Sequence, residues 1–394
     1  SSGSVVRLFR GEFGGRLGAT LRAQGLDARV LVKEFSGTLA LELAQAELET
    51  ISALQSNLLT SNKVMESMVQ TAMARTTLTR QDDGNLCTLL QLLQQAPFTG
   101  ILGEINIAEL LDDFDQNEWY RALSVPPPKP DSIWIVYEYT GLSTVAAYAA
   151  QPASVRIAKL PPQRGVFGNV VAPPAVPPFS ERFKYIRLGI IQQALEAVAA
   201  LHEAGIVHNS IGKSSILLYS KALDKNEASS AYATNLSRIL IKLADFGFSV
   251  TIQDATRDEA FLSRARSFGL QFKKGEISET ARAYAMAEDL HALGVAVLGM
   301  LLSSLAEVPS PDYKMPDTNE DTLQRLLTDI FDKDMQQFRD YVEAEEIWSS
   351  LVEYLDEYEG WDFLAALLLA RENAAAEKSV SAQELLSSSR FLQR

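Results

Sequence analysis

The chain is short of the residues that covalent stapling and nucleophilic catalysis draw on: 394 residues hold one cysteine, Cys87, and three histidines. A single cysteine excludes an internal disulfide and fits a reducing compartment, cytoplasmic or organellar. Its surroundings, "GNLCTLL", do not read as a thiol nucleophile site. Positive charge is also scarce, with 36 Lys and Arg against 50 Asp and Glu and a net charge of −14. Nucleic-acid binding needs Lys and Arg gathered on one face, so no nucleic-acid partner is expected and basic or neutral partners fit better. An unbroken apolar run of about 18 residues is missing too. The nearest, "LHALGVAVLGMLLSSLAEV", carries His291 and reads as a buried globular helix, so the chain is expected not to span a membrane. The opening Ser1-Ser2-Gly3-Ser4 reads as a linker remnant rather than a targeting signal.

What is present is enough apolar material, 47% of residues, for a large core divided between two domains or lobes. "SVVRLF", "GATLRA" and "ARVLVKEF" read as three successive strands broken by Gly and polar turns. "LALELAQAELETISALQSNLL" spaces its apolar residues three and four apart, as a helix does. The turn-rich "SVPPPKPD" then leads into an aromatic strand, "SIWIVYEYTG". Residues 152–179 hold seven of the fifteen prolines and are expected to form a non-helical insertion. Beyond them "RFKYIRLGIIQQALEAVAALHEAG", "AMAEDLHALGVAVLGMLLSSL" and "WDFLAALLLARENAAA" read as helices. The expected class is α+β: a β-rich lobe at 1–139 with a five-stranded antiparallel sheet and one long helix, then a helical lobe at 140–394.

Two stretches carry chemistry. "LHEAGIVHNSIGKSSILL" followed by "IKLADFGFS" resembles, in order and spacing, the catalytic loop and magnesium motif of the protein kinases. The resemblance implies a bilobal kinase-like fold, ATP and Mg²⁺ as ligands, and a protein substrate or partner. Under it Asp245 is the metal ligand, with Phe246 and Gly247 completing the motif and His208 framing the loop. Lys33, at the end of the alternating "RVLVKEF", is the lysine that grips the α- and β-phosphates. Its glutamate partner is Glu47, with Glu49 as second choice, because Ile51 and Leu54 follow Glu47 on one helical stripe.

"RGEFGG" resembles the Gly-rich phosphate loop, with Gly11, Phe13 and Gly14 as its turn and tip, although Phe9 stands where a glycine is expected and Gly15 is an extra residue. "IWIVYEYTG" resembles the edge strand and hinge of that family, which implies that Tyr137 lies behind the adenine pocket and that Glu138 and Thr140 offer backbone groups to adenine. Asp289 is expected near the start of its helix, bonding the loop backbone, with Gly294 allowing close packing. No Ala-Pro-Glu lies between Asp245 and Asp289, and Glu276 is the nearest substitute. The acidic, Ala-rich insertions and "VLVKEF" also resemble the plastid state-transition kinases of green algae and plants, which implies a chloroplast.

The loop departs from the family at its working positions. Ser210 stands where the aspartate base belongs, Asn209 where the arginine belongs, Gly212 where the lysine belongs, and Ser215 where the second metal ligand belongs. Lys213, one place off, is expected to swing toward the γ-phosphate. General-base help is worth ~10²–10⁴-fold, while phosphoryl transfer rests mainly on positioning and charge. Two expectations therefore stand together: an atypical Ser/Thr kinase, and a pseudokinase that binds nucleotide as a scaffold.

Overall fold

The computed structural model describes residues 4–58, 80–105, 129, 131–141, 143–159, 163–164, 170–171, 175–219 and 239–393. They form an α+β chain of two compact units, one of Ser1–Thr140 with Asp245–Ser249, the other of Gly141–Ala244 with Val250–Arg394. The resemblance would make 77–130 and 219–238 insertions; 219–238 lies almost wholly outside the described residues, whereas Arg80–Leu93 and Ile101–Ile105 of the first range form a helix and a strand that carry core residues of the first unit.

In the first unit, strands β1 (Val5–Glu12), β2 (Arg29–Ser36), β3 (Ile101–Ile105) and β4 (Ile133–Glu138) pair antiparallel in the order β1-β2-β4-β3. Among the described residues the sheet thus has four strands where five were expected. The middle segment, "GATLRA", lies in helix α1 (Gly15–Ala23) rather than a strand, because Leu17 and Leu21, four apart, both reach the core. A strand reading of six residues misses that period. Helices α2 (Thr38–Leu58) and α3 (Arg80–Leu93) complete the unit.

Period-two alternation sorts the side chains of the sheet. Val30, Val32, Trp134 and Val136 join Leu17, Leu21, Leu86, Leu90 and Leu93 of α1 and α3 in one apolar cluster. Each such side chain contributes about 1.5–3 kcal/mol by leaving water. Lys33, Ile135 and Tyr137 fall on the alternate positions and so face the other way, where α2 packs against β2, β3 and β4. Gln55 of α2 closes that face by accepting from the Ile101 amide at 2.6 Å and donating to its carbonyl at 3.1 Å.

The second unit is mainly helical. Residues 179–203 run as one helix with widened turns at Tyr185–Ile191, and its last segment is α4 (Gln192–Glu203). Gly205, at φ 74°, ends it. Short strands follow: β5 (Ile206–Val207) pairs with β8 (Val250–Thr251), and β6 (Ile216–Tyr219) pairs with β7 (Leu240–Leu243). Helix α5 (Glu259–Ser267) precedes the long α6 (Glu279–Ser304), and α7 (Gly360–Leu368) packs on α6. By length and composition α6 could cross a membrane, yet 83% of its apolar window is buried inside the unit. A Cβ on Gly294 would meet Leu367 Cβ at 2.8 Å, so the helix contact needs glycine there.

The Pro-rich range is a partial correction. Ala153–Ala158 is helical, because Pro152 precedes the helix as its cap instead of interrupting it.

Candidate functional site

The first unit gathers a charged cluster around Lys33. Its ammonium donates to Glu47 Oε1 and to Asp245 Oδ1, each at 2.8 Å. Glu47 is buried, and Ile51 and Leu54, on its stripe, are buried with it. Glu49 instead is exposed and accepts from Gln45. Burial alone would lower the Lys33 pKa, but the Glu47 and Asp245 carboxylates outweigh it and hold the ammonium above its ordinary range. The Tyr137 ring lies 5.0 Å from Lys33 Nζ, in cation–π reach. Burial first, and then the Glu47 carboxylate, push the Tyr137 phenol well above its ordinary range.

Asp245 takes a left-handed backbone, φ 66° and ψ 55°, which is uncommon outside glycine and marks a conformation held by its surroundings. Phe246 beside it is fully buried. A Cβ on Gly247 would meet Leu43 Cβ at 3.1 Å and Leu43 O at 3.3 Å, so the missing side chain lets α2 approach. The Asp245 carboxylate is 59% exposed and therefore open to a hard cation. Among the described residues no group of three metal-ligating side chains exists. This donor set suits Mg²⁺, which binds through one or two carboxylates and completes its shell with substrate phosphates and water.

The expected phosphate loop is not at Lys33. Gly11 lies inside β1 opposite Val30, Phe13 N–H donates to Ala28 O, and Gly14 caps α1. The turn thus sits at the Arg29 end of β2, about 13 Å along the strand from Lys33 at roughly 3.3 Å per residue. The β1 residue opposite Lys33 is Leu8. Residues 1–3 lie outside the described residues.

At the end of β4, Glu138 turns both its amide and its carboxylate to Gly100, each at 3.0 Å. Thr140 is buried, and its Oγ1 has no hydrogen-bond partner among the described residues.

In the second unit the 208–215 loop hangs on Asp289. This residue lies well inside α6 rather than near its start, and it is 1% exposed. Its carboxylate accepts from the His208 amide at 2.7 Å, the Asn209 amide at 2.9 Å and His202 Nε2 at 3.1 Å. Burial opposes its charge, but His202, His208 and these bonds prevail and hold the carboxyl below its ordinary range. Asn209 is left-handed at φ 60°. His208 is fully buried, with Nε2 3.1 Å from the Ala244 carbonyl and Nδ1 3.2 Å from Ser210 Oγ.

Two expected roles are not matched by these side-chain positions. Ser215 Oγ donates to Gly212 O and accepts from Gly212 N–H, both at 3.0 Å, so the buried hydroxyl closes its own turn. Lys213 Nζ is directed to Thr318 O at 3.4 Å and lies 3.0 Å from where a Gly299 Cβ would be. Glu276 is exposed and caps its own turn at Lys273.

Sequence reading passed over His202. The signal was available: Leu195, Val198 and His202 share one buried stripe of α4, and a polar residue on an apolar stripe needs a buried partner.

Comparison with known proteins gives a partial likeness. No family model matches the chain. A "Light-sensor Protein kinase" of Ceratodon purpureus is 27% identical over 139 residues, covering 32% of this chain and 10% of that protein. The chain therefore spans about a tenth of that relative's length.

Proposed function

We propose that this chain binds Mg-ATP in the manner of a protein kinase and transfers the γ-phosphate to a protein hydroxyl. The observation that carries the reading is Lys33, bonded at once to Glu47 of α2 and to Asp245 of the Asp-Phe-Gly motif. A fixed ammonium held by a buried carboxylate is a ready partner for phosphate oxygens. Asp245 would hold magnesium, which when bound neutralises charge on the phosphates. Tyr137, on the same face as Lys33, would back the adenine, with the Glu138 carbonyl and Thr140 amide at the base's edge. The partial likeness to a protein kinase and the order of the motifs support the same reading.

The loop chemistry is weaker than the family's, and that favours a second reading, a nucleotide-binding pseudokinase. Ser210 replaces the carboxylate base, and the Ser215 hydroxyl is spent on Gly212. Incorporation of radiolabelled phosphate from ATP separates the two. The kinase reading expects incorporation that Lys33→Ala and Asp245→Ala each abolish. Incorporation unchanged in both variants would remove it, and an inert parent that still binds Mg-ATP would leave the scaffold reading.

A further inference from the structure

Beside the 208–215 loop the second unit carries a polar cavity of about 360 Å³, and every residue that lines it belongs to that unit. Its floor is one face of α6, where Glu288, His291, Ala292 and Val295 follow the i, i+3, i+4 and i+7 spacing that sets side chains in one stripe. Two cations line it, Arg264 of α5 and Arg371 of the helix Ala370–Ala375. Two further carboxylates, Glu320 and Asp321, come from the start of the helix Glu320–Arg325, with Gln324 one turn on.

The cations are largely engaged. Arg371 Nη2 donates to His291 Nε2 at 2.6 Å, and its guanidinium lies over the Phe268 ring at 5.4 Å. His291 Nδ1 donates to Leu368 O, and burial, with Arg371 beside it, lowers the ring's pKa to about 4, so the imidazole is neutral and adds no charge. Arg264 pairs with Glu288 Oε2 at 3.5 Å. The acidic side keeps more to offer. Glu320 Oε1 accepts from the Lys213 amide at 2.9 Å, but Glu288 Oε1 is buried with no hydrogen-bond partner among the described residues, and Asp321 is exposed.

The surroundings strengthen that bias. Residues 307–377 hold 19 Asp and Glu against five Lys and Arg, an excess of 14 that equals the net charge of the whole chain, so the remaining charges balance. A cation is therefore drawn to this cavity. Ala292 and Val295 give it an apolar floor, which a bare ion does not use and the methylene stem of an arginine or lysine does. Arg371 Nε, buried and also without a partner among the described residues, is a donor that a peptide carbonyl would satisfy.

We propose that this cavity docks a basic segment of a partner protein. The head group of an arginine or lysine meets Glu320 and Asp321, its stem lies on Ala292 and Val295, and the segment's backbone carbonyls accept from the two arginines. The docking site lies wholly in the second unit and asks nothing of the Lys33 cluster, so it goes beyond the nucleotide reading and holds for a kinase and a scaffold alike.

Fluorescence anisotropy on the full chain tests it with three labelled hexapeptides of one frame, Ala-Ala-Xaa-Xaa-Ala-Ala, whose central pair is Arg, Gln or Glu. The Arg peptide is expected to bind, and the Gln and Glu peptides are not. Asp321→Lys and Gln324→Lys, both at exposed positions, are each expected to weaken the Arg peptide about tenfold, the usual worth of a hydrogen bond to a charged group. Glu353→Lys, in the same acidic stretch but outside the cavity, is expected to change it by less than about twofold, because salt screens distant exposed charges. Asp321→Lys is also expected to gain the Glu peptide, a result that misfolding cannot produce. An Arg peptide that does not bind, or that binds Asp321→Lys as tightly as the parent, overturns the proposal. An equal loss from Glu353→Lys overturns it too, since the attraction would then belong to overall charge and not to the cavity.

Discussion

The two units hold their functional residues by opposite means. Around Lys33, side-chain charges bind one another directly and one of them, Asp245, stays largely exposed. In the 208–215 loop the charge is wholly buried: Asp289 takes its bonds from two backbone amides and an imidazole, and the residues it positions are hydroxyls and amides. The first arrangement is built to meet another charged molecule. The second fixes a backbone shape through main-chain amides, so the loop holds its geometry with uncharged residues at Asn209, Ser210 and Gly212.

The largest expected effect tests the buried side of that contrast. Asp289→Ala leaves two amides and an imidazole unsatisfied and is expected to cost about 3–5 kcal/mol in chemical denaturation. Asp289 also sets a pH dependence. Its folded pKa is depressed, so its contribution is complete above the unfolded value of 3.8 and is lost as pH falls through the lower folded value. The stability gap between parent and Asp289→Asn is therefore expected to be constant above about pH 5 and to close below pH 4. A gap that widens in acid would contradict the ionised, buried carboxylate.

Next in size is Gly294→Ala, whose Cβ would press on Leu367, with an expected cost of about 1–3 kcal/mol from overpacking. The smallest effects sharpen the exposed side. Glu49→Gln is expected to change stability by less than about 0.5 kcal/mol and to leave nucleotide binding unchanged, whereas Glu47→Gln is expected to weaken it, both read by titration calorimetry. Equal losses from the two would undo the assignment of Glu47 as the partner of Lys33.

Much of the site was legible because its signals are local. The stripe Glu47, Ile51, Leu54 selects one carboxylate of two by helical period, and the "IKLADFG" run fixes Asp245 at the end of a strand. The α+β layout, strands first and helices after, followed from the change of period along the chain.

What stayed hidden depends on partners far apart in sequence. "RGEFGG" looks like a phosphate loop until the register of β1 against β2 shows that Leu8, not the glycines, lies opposite Lys33. Lys213 and Ser215 look available until Thr318 and Gly212 claim them. His202 gains meaning only through Asp289, 87 residues on.

The central claim is that Lys33, Glu47 and Asp245 form a Mg-ATP site, and a thermal-shift titration of the parent and Lys33→Ala tests it most directly. At ten times its Kd, Mg-ATP is expected to stabilise the parent by about 1.4 kcal/mol and to leave Lys33→Ala unmoved. A parent that does not shift, or a variant that shifts equally, would contradict the account.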